Sequence, residues 1–219
     1  MTEASFKQQV FAEFARIGGA LASERRLELV DLLAQGPRHV EALAAVTGMS
    51  VANVSQHLQV LRRARLVDTE RRGTRVLYRI AGEGVLQLWL ALQTVATARL
   101  PEIERLTREH AIPEAGGPEL PRDRLEQLVD GGQGLLIDVR PEDEYRHGHL
   151  PGAVSVPLDE LPRRVDELPR DRPIIAYCRG TFCQTADEAV ALLRRNGFDA
   201  HRLEGGWPEW WAEGRPVTR

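Results

Sequence analysis

Cysteine is scarce in this chain of 219 residues, which contains only Cys178 and Cys183, five positions apart. Long apolar runs are missing as well, and none approaches the roughly 20 residues that a membrane-spanning helix needs. The N-terminal segment also lacks the basic start and the apolar stretch of a secretory signal. We therefore expect a cytoplasmic protein without membrane association. In that reducing compartment a close cysteine pair is more often reactive than structural.

A strong net charge is absent too, because the formal charge at pH 7 is only −3. The charge is nevertheless uneven. Residues 1–112 carry 15 basic and 12 acidic side chains, whereas residues 113–219 carry 14 and 20. Between residues 50 and 79 there are 7 basic and 2 acidic side chains. A local basic segment is typical of an element that contacts nucleic acid, although a solvated helix face often has the same composition.

The pattern of apolar residues divides the chain into two domains. Helical spacing dominates the first half, which ends at a Pro/Gly-rich stretch without periodicity, 112–118. Beyond it, short apolar runs alternate with amphipathic segments, which is typical of an α/β domain with a central parallel sheet. We predict a mainly α domain over 1–111, a linker over 112–121 and an α/β domain over 122–219.

The segment 50–80 has the order helix, strand, turn, strand. Ser50 is an N-cap residue type for a helix that runs to about Ala64. The apolar side chains that share one side of this helix are Val51, Val54, Leu58 and Leu61. Glutamine, asparagine and arginine side chains cover the opposite side, which suits a helix that reads the major groove of DNA. Two strands joined by an arginine-rich turn follow it and predict a β-hairpin wing.

The segment Met49–Val67, with the Arg-Gly turn and Tyr78 after it, resembles the ArsR family of winged helix-turn-helix regulators over about residues 5–110. The resemblance implies a repressor that binds a double-stranded DNA operator, with Ser55, Gln56 and His57 in the groove. It also implies that the first and last helices, the latter over about 84–109, form a homodimer. The residues that we predict to contact DNA are Asn53, Ser55, Gln56, His57, Gln59, Arg62, Arg63, Arg71, Arg72 and Arg75.

The first half departs from the metal-sensing members of that family. Residues 1–112 contain no cysteine, whereas sensors of soft metals often carry a Cys-x-Cys pair near the recognition helix. A second family site uses carboxylates and paired histidines on the last helix, and only Glu102, Glu104, Glu109 and His110 are present there. We therefore expect neither a metal site nor a cofactor.

Three segments of the second half resemble the rhodanese-like domain over about residues 122–217. They are the first hallmark Leu135–Ala153, the strand–cysteine–loop–helix segment Tyr177–Thr185 and the closing hallmark Leu203–Trp210. By this resemblance His147 and His149 belong to a structural turn, and Asp138 and Arg140 to a buried network.

The predicted thiol site comprises Cys178, Arg179, Gly180 and Cys183. Cys178 ends a parallel strand, where α/β folds place their ligands, and a helix that starts near Thr185 would direct backbone N–H groups at the loop. Residues 185–188 have the pattern of a capping box. With the positive charge of Arg179 nearby, we expect Cys178 to be the thiolate that is modified first and Cys183 to resolve its persulfide.

The loop departs from common rhodanese loops at two positions. Gly180 stands two residues after the first cysteine instead of three, and Cys183 occupies a position where many rhodaneses have a charged or hydroxyl residue. Gln184 replaces the arginine of the Cys-x5-Arg loop that phosphatase-like and arsenate-reducing relatives use, which argues against phosphoester chemistry.

Three functions remain open at this stage. The first is a regulator whose second domain senses reactive sulfur or another thiol-reactive signal, from a small molecule or a sulfur-donor protein. The second is an active sulfurtransferase with an attached DNA-binding domain. The third is a metalloid sensor, ranked lowest because two thiols lack the third soft ligand usual for tight binding.

Overall fold

The structure is a computed structural model that describes residues 5–73 and 75–219. The chain divides into two compact units, Met1–Trp89 and Leu90–Arg219, and the division falls within the fifth helix. In the described ranges, no helix combines the length and the apolar character needed to cross a membrane.

The first unit is mainly helical and carries one small sheet. Its elements are α1 (Phe6–Leu21), α2 (Glu24–Ala34), β1 (Arg38–His39), α3 (Val40–Thr47), α4 (Val51–Arg63), β2 (Val67–Arg72), β3 (Arg75–Ile80) and the start of α5 (Glu83–Arg99). The strands form an antiparallel sheet in the order β1-β3-β2. The helices and the β2–β3 hairpin confirm the predicted winged helix-turn-helix. The strand β1 was not predicted, because two residues are too few for a periodic pattern.

The helix α4 begins where the sequence indicates. The Ser50 hydroxyl oxygen accepts a hydrogen bond from the backbone N–H of Asn53 at 3.2 Å, which satisfies one donor at the helix start. The underside of α4 packs into the core of this unit with the inner faces of α2 and α3. The fully buried residues of that core include Leu29, Val30, Leu43, Val54, Leu58 and Leu61.

The predicted helix over 84–109 is two helices. The helix α5 ends at Arg99, and α6 (Pro101–Glu109) begins directly after Leu100. Pro101 is the cause, because it has no N–H for the helix interior and fits well at the first position of a new helix.

The second unit is an α/β domain. Its elements after α6 are a 3-10 helix (Pro113–Ala115), α7 (Arg122–Asp130), β4 (Leu135–Asp138), α8 (Glu142–His147), β5 (Val154–Ser155), α9 (Leu161–Arg164), a second 3-10 helix (Val165–Glu167), β6 (Ile174–Cys178), α10 (Thr185–Arg195), β7 (Ala200–Gly206) and α11 (Trp207–Ala212). The strands form a parallel sheet in the order β5-β4-β6-β7, which confirms the predicted central parallel sheet.

The central strand β6 is buried along its whole length and separates two apolar cores. Ile174, Ala176 and Cys178 face the core that includes α10, whereas Ile175 and Tyr177 face the core that includes Trp207. This alternation follows from the two-residue repeat of a strand. It places the sulfur of Cys178 at the end of the strand, on the side of α10.

Candidate functional site

The outer side of α4 is a polar surface. Of the predicted groove contacts in this helix, Asn53, Gln56, Gln59, Arg62 and Arg63 are exposed, and Ser55 and His57 are half-buried. The opposite side is buried as predicted at Val54, Leu58 and Leu61. Val51 differs from the prediction because it is 47% exposed. It is the first residue of α4 and lies beyond the part of the helix that packs on the core.

The β2–β3 hairpin adds basic side chains to this candidate DNA-binding surface. Arg71 in β2 and Arg75 in β3 are both exposed. In the register of the two strands, Arg75 is the partner of Arg72. The side chain of Arg72 and the whole of Thr74 lie outside the described part of the structure. Within residues 5–73 and 75–219, Arg71 and Arg75 form no ion pair with an acidic side chain, and the same holds for Arg62 and Arg63. Their charge is therefore available to phosphate groups.

The two cysteines lie together at the C-terminal edge of the parallel sheet. Cys178 is fully buried, Cys183 is partly exposed, and both are free thiols. The sulfur of Cys178 lies 3.3 Å from the backbone carbonyl oxygen of Cys183. A cavity of about 270 Å³ reaches both of them between the ends of β4 and β6. Cys183 also borders a second cavity of about 420 Å³, which is lined by α6, the segment after it and α10.

The two thiols differ in acidity. Burial raises the pKa of Cys178 well above its ordinary value. Interaction with the Cys178 thiol lowers the pKa of Cys183 to about 5 against the effect of its burial, and the Thr185 hydroxyl and the backbone N–H groups of Arg179 and Thr185 act in the same direction. These shifts run opposite to the expectation that Cys178 carries the thiolate, because burial favours the protonated form of Cys178 and nearby hydrogen-bond donors favour the ionised form of Cys183.

The predicted capping box at 185–188 does not form. The N-cap of α10 is Gln184, without a side-chain cap, because the Thr185 hydroxyl lies 3.3 Å from the sulfur of Cys183. The hydroxyl that would cap the helix instead lies beside the thiol. Asp187, between the two positions of the box, accepts a hydrogen bond from Arg202 at 2.6 Å.

Arg179 is near the thiols in sequence, but its guanidinium binds a carboxylate. Its Nε lies 2.9 and 3.0 Å from the two oxygens of the fully buried Glu144. Burial raises the pKa of Cys178, and the positive charge that acts against this effect is that of Arg202 in β7. The sequence alone did not indicate Arg202, which stands 24 positions after Cys178. The pairing of β7 with β6 brings it close to that cysteine.

The loop between Cys178 and Cys183 is held by contacts from β7 and α11. Arg202 donates to the carbonyl oxygens of Gly180 and Thr181 at 3.2 and 2.8 Å. Glu209 accepts hydrogen bonds from the backbone N–H and the hydroxyl of Thr181, both at 3.1 Å. Gly180 has a φ of +132°, and a Cβ there would stand 2.9 Å from the Glu209 carboxylate. This position therefore requires glycine.

A buried polar network supports the strand ends below the loop. Asp138 accepts hydrogen bonds from the Tyr177 hydroxyl at 2.6 Å and from Nη2 of Arg140 at 2.6 Å, and Arg140 also donates to the carbonyl of Gly148 at 2.8 Å. This confirms the predicted structural role of Asp138 and Arg140. The ring of His149 stacks on Tyr145, as a structural residue does.

In the described ranges, no three side chains of the metal-binding types lie close enough to hold a metal ion together. On α6, Glu104 and Glu109 instead form ion pairs with arginines one helical turn away. These carboxylates are therefore solvated helix residues.

Comparison with known proteins relates each half of the chain to a family. The arsR family of bacterial regulatory proteins matches residues 23–69, and the rhodanese-like domain matches residues 121–213. The HTH-type transcriptional regulator Rv0324 of Mycobacterium tuberculosis is 44% identical over 213 residues, which cover 96% of this chain and 92% of that protein.

Two further proteins are similar to one half each. A sulfurtransferase of Allochromatium vinosum is 33% identical over 102 residues, which cover 46% of this chain and 94% of that protein. The solution structure of a homodimeric winged helix-turn-helix DNA-binding domain, fragment 1–100 of Mb0332 from Mycobacterium bovis, is 46% identical with a TM-score of 0.43. The similar part covers 46% of this chain and 93% of that fragment.

The likeness to the regulator Rv0324 extends over nearly the whole of both chains. This chain is therefore a transcriptional regulator that belongs to the arsR family of bacterial regulatory proteins and carries a C-terminal rhodanese-like domain.

Proposed function

We propose that this regulator is a cytoplasmic repressor that binds double-stranded DNA as a homodimer and senses reactive sulfur through Cys178 and Cys183. We assign DNA binding and dimerisation to residues 1–111, the connection to 112–121 and sulfur chemistry to 122–219. The observation that carries the proposal is the pair of neighbouring free thiols, Cys178 and Cys183, which both line a cavity at the C-terminal edge of the parallel sheet.

The outer side of α4 and the arginines of the hairpin support the assignment of DNA binding. Amide side chains such as Gln56 match the hydrogen-bonding edge of adenine, and arginines bind guanine or phosphate. Asn53, Gln56 and Gln59 are exposed and therefore accessible to bases. One recognition helix covers one half-site, so a dimer on a near-palindrome with half-sites one helical turn apart is expected.

Exposed apolar side chains on α1 and α5 support the homodimer. Phe14 on α1 is 64% exposed and Val95 on α5 is 60% exposed, and both helices are rich in apolar residues. The other large apolar side chains exposed on these two helices are Phe6, Phe11, Leu88 and Leu92. Apolar surface of this extent on a single chain is typical of a face that a second copy covers.

The size of the smaller cavity, which is the one lined by both thiols, favours a small signal. Pockets for drug-sized ligands measure about 300–1,000 Å³, and this cavity of about 270 Å³ lies just below that range. An inorganic sulfur species such as polysulfide fits better than a bulky organic molecule. Formation of a bond between the cysteines would then report its presence.

A hydrogen bond offers a route by which the loop between the cysteines acts on α6. Gln184, next to Cys183, donates from Nε2 to the carbonyl oxygen of His110 at 2.7 Å, directly after α6. Closing a bond between the cysteines changes the loop and the start of α10, and Gln184 moves with them. The helix α6 follows α5, so we propose that this contact transmits the signal.

The alternative is a working sulfurtransferase with an attached DNA-binding domain. The rhodanese-like loop, with a thiolate held by hydrogen-bond donors, favours it, and its donor would be thiosulfate or a sulfur-donor protein. A metalloid sensor ranks lowest, because two thiols supply only two soft ligands.

The test uses the full-length protein and DNA selected from a random duplex library. Wild type should lose DNA affinity when polysulfide is added and regain it with a thiol reductant, measured by fluorescence anisotropy. Cys178→Ser and Cys183→Ser should bind DNA as wild type does but should not show this reversible loss. Steady turnover with thiosulfate, together with unchanged DNA affinity in wild type after polysulfide, would favour the enzyme instead.

A further inference from the structure

The larger of the two cavities that Cys183 borders is built in part by the segment that precedes the rhodanese-like domain. One wall of this cavity of about 420 Å³ consists of α6 and the chain after it, from Leu106 to Glu119. The match to the rhodanese-like domain begins only at residue 121. The loop residues 181–184 and the helix α10 form the other wall. The cavity is therefore a feature of this chain that the rhodanese-like domain by itself does not have.

Hydrogen bonds join the two walls of the larger cavity. Arg194 of α10 donates to the carbonyl oxygen of Glu114 at 3.2 Å and also to that of Gly116. Gln184, at the start of α10, donates to the carbonyl oxygen of His110 at 2.7 Å. The segment after α6 is thereby fixed against α10, and the cavity is part of the folded unit.

The two cavities differ in which cysteine they reach. Both cysteines line the smaller one, of about 270 Å³, whereas the lining of the larger one includes Cys183 and not Cys178. Pockets for organic ligands measure about 300–1,000 Å³, so the larger cavity has room for an organic molecule and the smaller one does not. An organic thiol of tripeptide size would therefore reach the sulfur of Cys183 through the larger cavity.

The lining of the larger cavity suits an organic molecule better than an inorganic anion. Its large apolar side chains are Leu106, Ile112 and Phe182, and its acids and arginines are Glu119, Asp187, Arg194 and Arg202. The guanidinium of Arg202 forms ion pairs with Glu119 at 3.3 Å and with Asp187 at 2.6 Å. Two acids balance two arginines, so the cavity has no excess of positive charge that would select a small anion such as thiosulfate.

We propose that the larger cavity binds a low-molecular-weight organic thiol, which attacks the sulfur of Cys183 in the disulfide with Cys178 and so returns the regulator to its reduced state. This inference rests on the sulfur-sensing function proposed above. Cys178 stays available to sulfur donors through the smaller cavity. The signal and the reductant then reach the cysteine pair from different cavities.

The reduction takes two thiol-exchange steps. In the first, the organic thiol attacks the sulfur of Cys183 as a thiolate, and the bond between the two cysteines breaks. Cys178 leaves with the electron pair and takes up the proton that the organic thiol lost, while Cys183 carries the organic group as a mixed disulfide. A second organic thiol then attacks the sulfur of that group, and Cys183 leaves as a thiol. In total two organic thiols are oxidised to one organic disulfide, and the protein disulfide is reduced to two thiols.

The first experiment maps the sulfur that the organic thiol attacks in the full-length wild type. Diamide, an azo oxidant that takes up two electrons and two protons, forms the disulfide. Reduced glutathione, a tripeptide thiol, is then added in equal amount, and excess N-ethylmaleimide stops the exchange by labelling every free thiol. Trypsin cleaves after Arg179, so the two cysteines fall on different peptides.

Mass spectrometry without a reductant should find glutathione on the Cys183 peptide and maleimide on the Cys178 peptide, because access decides which sulfur is attacked. Glutathione found mainly on the Cys178 peptide would overturn the inference, and so would the absence of a disulfide between the two cysteines after diamide.

A variant that fills the larger cavity tests the route. Ala111 is exposed and lines this cavity, so Ala111→Phe narrows it without disturbing a buried side chain. Reduction of the disulfide by glutathione should slow by about tenfold, because the thiol no longer reaches its position beside Cys183. Reduction by hydrosulfide, which is small enough for the other cavity, should keep the wild-type rate.

The matched control is Ala45→Phe, at an exposed position on α3 that does not line the cavity, and it should react with glutathione as wild type does. Equal glutathione rates in all three proteins would overturn the inference. If polysulfide leaves the DNA affinity of wild type unchanged while glutathione still enters at Cys183, the sensing function fails and the thiol site stands. If polysulfide releases DNA reversibly while glutathione enters at Cys178, sensing stands and the thiol site fails.

Discussion

The hydroxyl of Thr185 lies 3.3 Å from the sulfur of Cys183, in a position where the sequence pattern predicts a helix cap. The first residue of α10 thus serves the thiol loop at the expense of the helix start. This exchange links the acidity of Cys183 to a single side chain that is easily varied.

Thr185→Val should therefore raise the pKa of Cys183 from about 5, because the thiolate loses a hydrogen-bond donor. A hydrogen bond to a charged group is worth about 1.5–3 kcal/mol, so a rise of roughly one unit or more is expected. The pH profile of iodoacetamide labelling at Cys183 measures it, since labelling falls as pH drops through that pKa. Thr185→Ser keeps the hydroxyl and should retain the wild-type midpoint. Equal midpoints in all three proteins would contradict the role of the hydroxyl.

The ion pair between Glu144 and Arg179 should stabilise the second unit without tuning the thiols. Arg179→Ala removes a charged partner of a fully buried carboxylate, and the free energy of unfolding should fall by roughly 3 kcal/mol in urea denaturation. Arg179→Lys keeps the charge and should lose less. The labelling midpoint of Cys183 should stay unchanged in both variants. A shifted midpoint with unchanged stability would show that the guanidinium acts on the sulfur.

The cap of α4 should contribute to the stability of the first unit. Ser50→Ala leaves the backbone N–H of Asn53 without its acceptor, which should cost about 1 kcal/mol in thermal or chemical unfolding of the first unit. Ser50→Asp supplies another acceptor and should restore the stability. If Ser50→Ala unfolds as wild type does, the hydroxyl contributes nothing to this helix.

Two side chains should affect DNA binding in different ways. Gln56→Ala should weaken binding to the selected DNA while leaving nonspecific binding unchanged, because a base contact is lost. Arg71→Ala should weaken binding to every duplex and reduce the salt slope by about one, as loss of one phosphate contact does. Arg25→Ala, which removes an arginine paired with Glu28 on α2, is the matched control. Affinities like wild type for both test variants would exclude this surface.

A charge within the exposed apolar faces should dissociate the dimer. Phe14→Glu and Val95→Glu each place a carboxylate among apolar side chains of α1 or α5, and burying an unpaired charge there is costly. Light scattering should then report a monomer, and DNA affinity should fall because only one half-site is held. Ala12→Glu, on another side of α1, should remain dimeric. A monomeric wild type with full DNA affinity would contradict the dimer proposal.

Several features follow from the sequence alone because they depend on neighbours along the chain. The cap at Ser50 and the buried side of α4 at Val54, Leu58 and Leu61 come from local residue type and helical spacing. The buried strand β6 also follows from local sequence, since a short apolar run between turn residues predicts a buried strand. The two family resemblances rest on contiguous motifs of this kind.

Only the tertiary structure decided how differently the two thiols are surrounded. Cys178 and Cys183 both stand beside donors and charges in sequence, and spacing does not tell which sulfur faces carbonyl oxygens and which faces N–H and O–H groups. Burial, the strand pairing that brings Arg202 to the loop, and the turn of Thr185 toward a sulfur all depend on residues distant in the chain or on loop geometry. A pKa responds to the few ångströms around an atom, and the packing of the folded chain sets those surroundings.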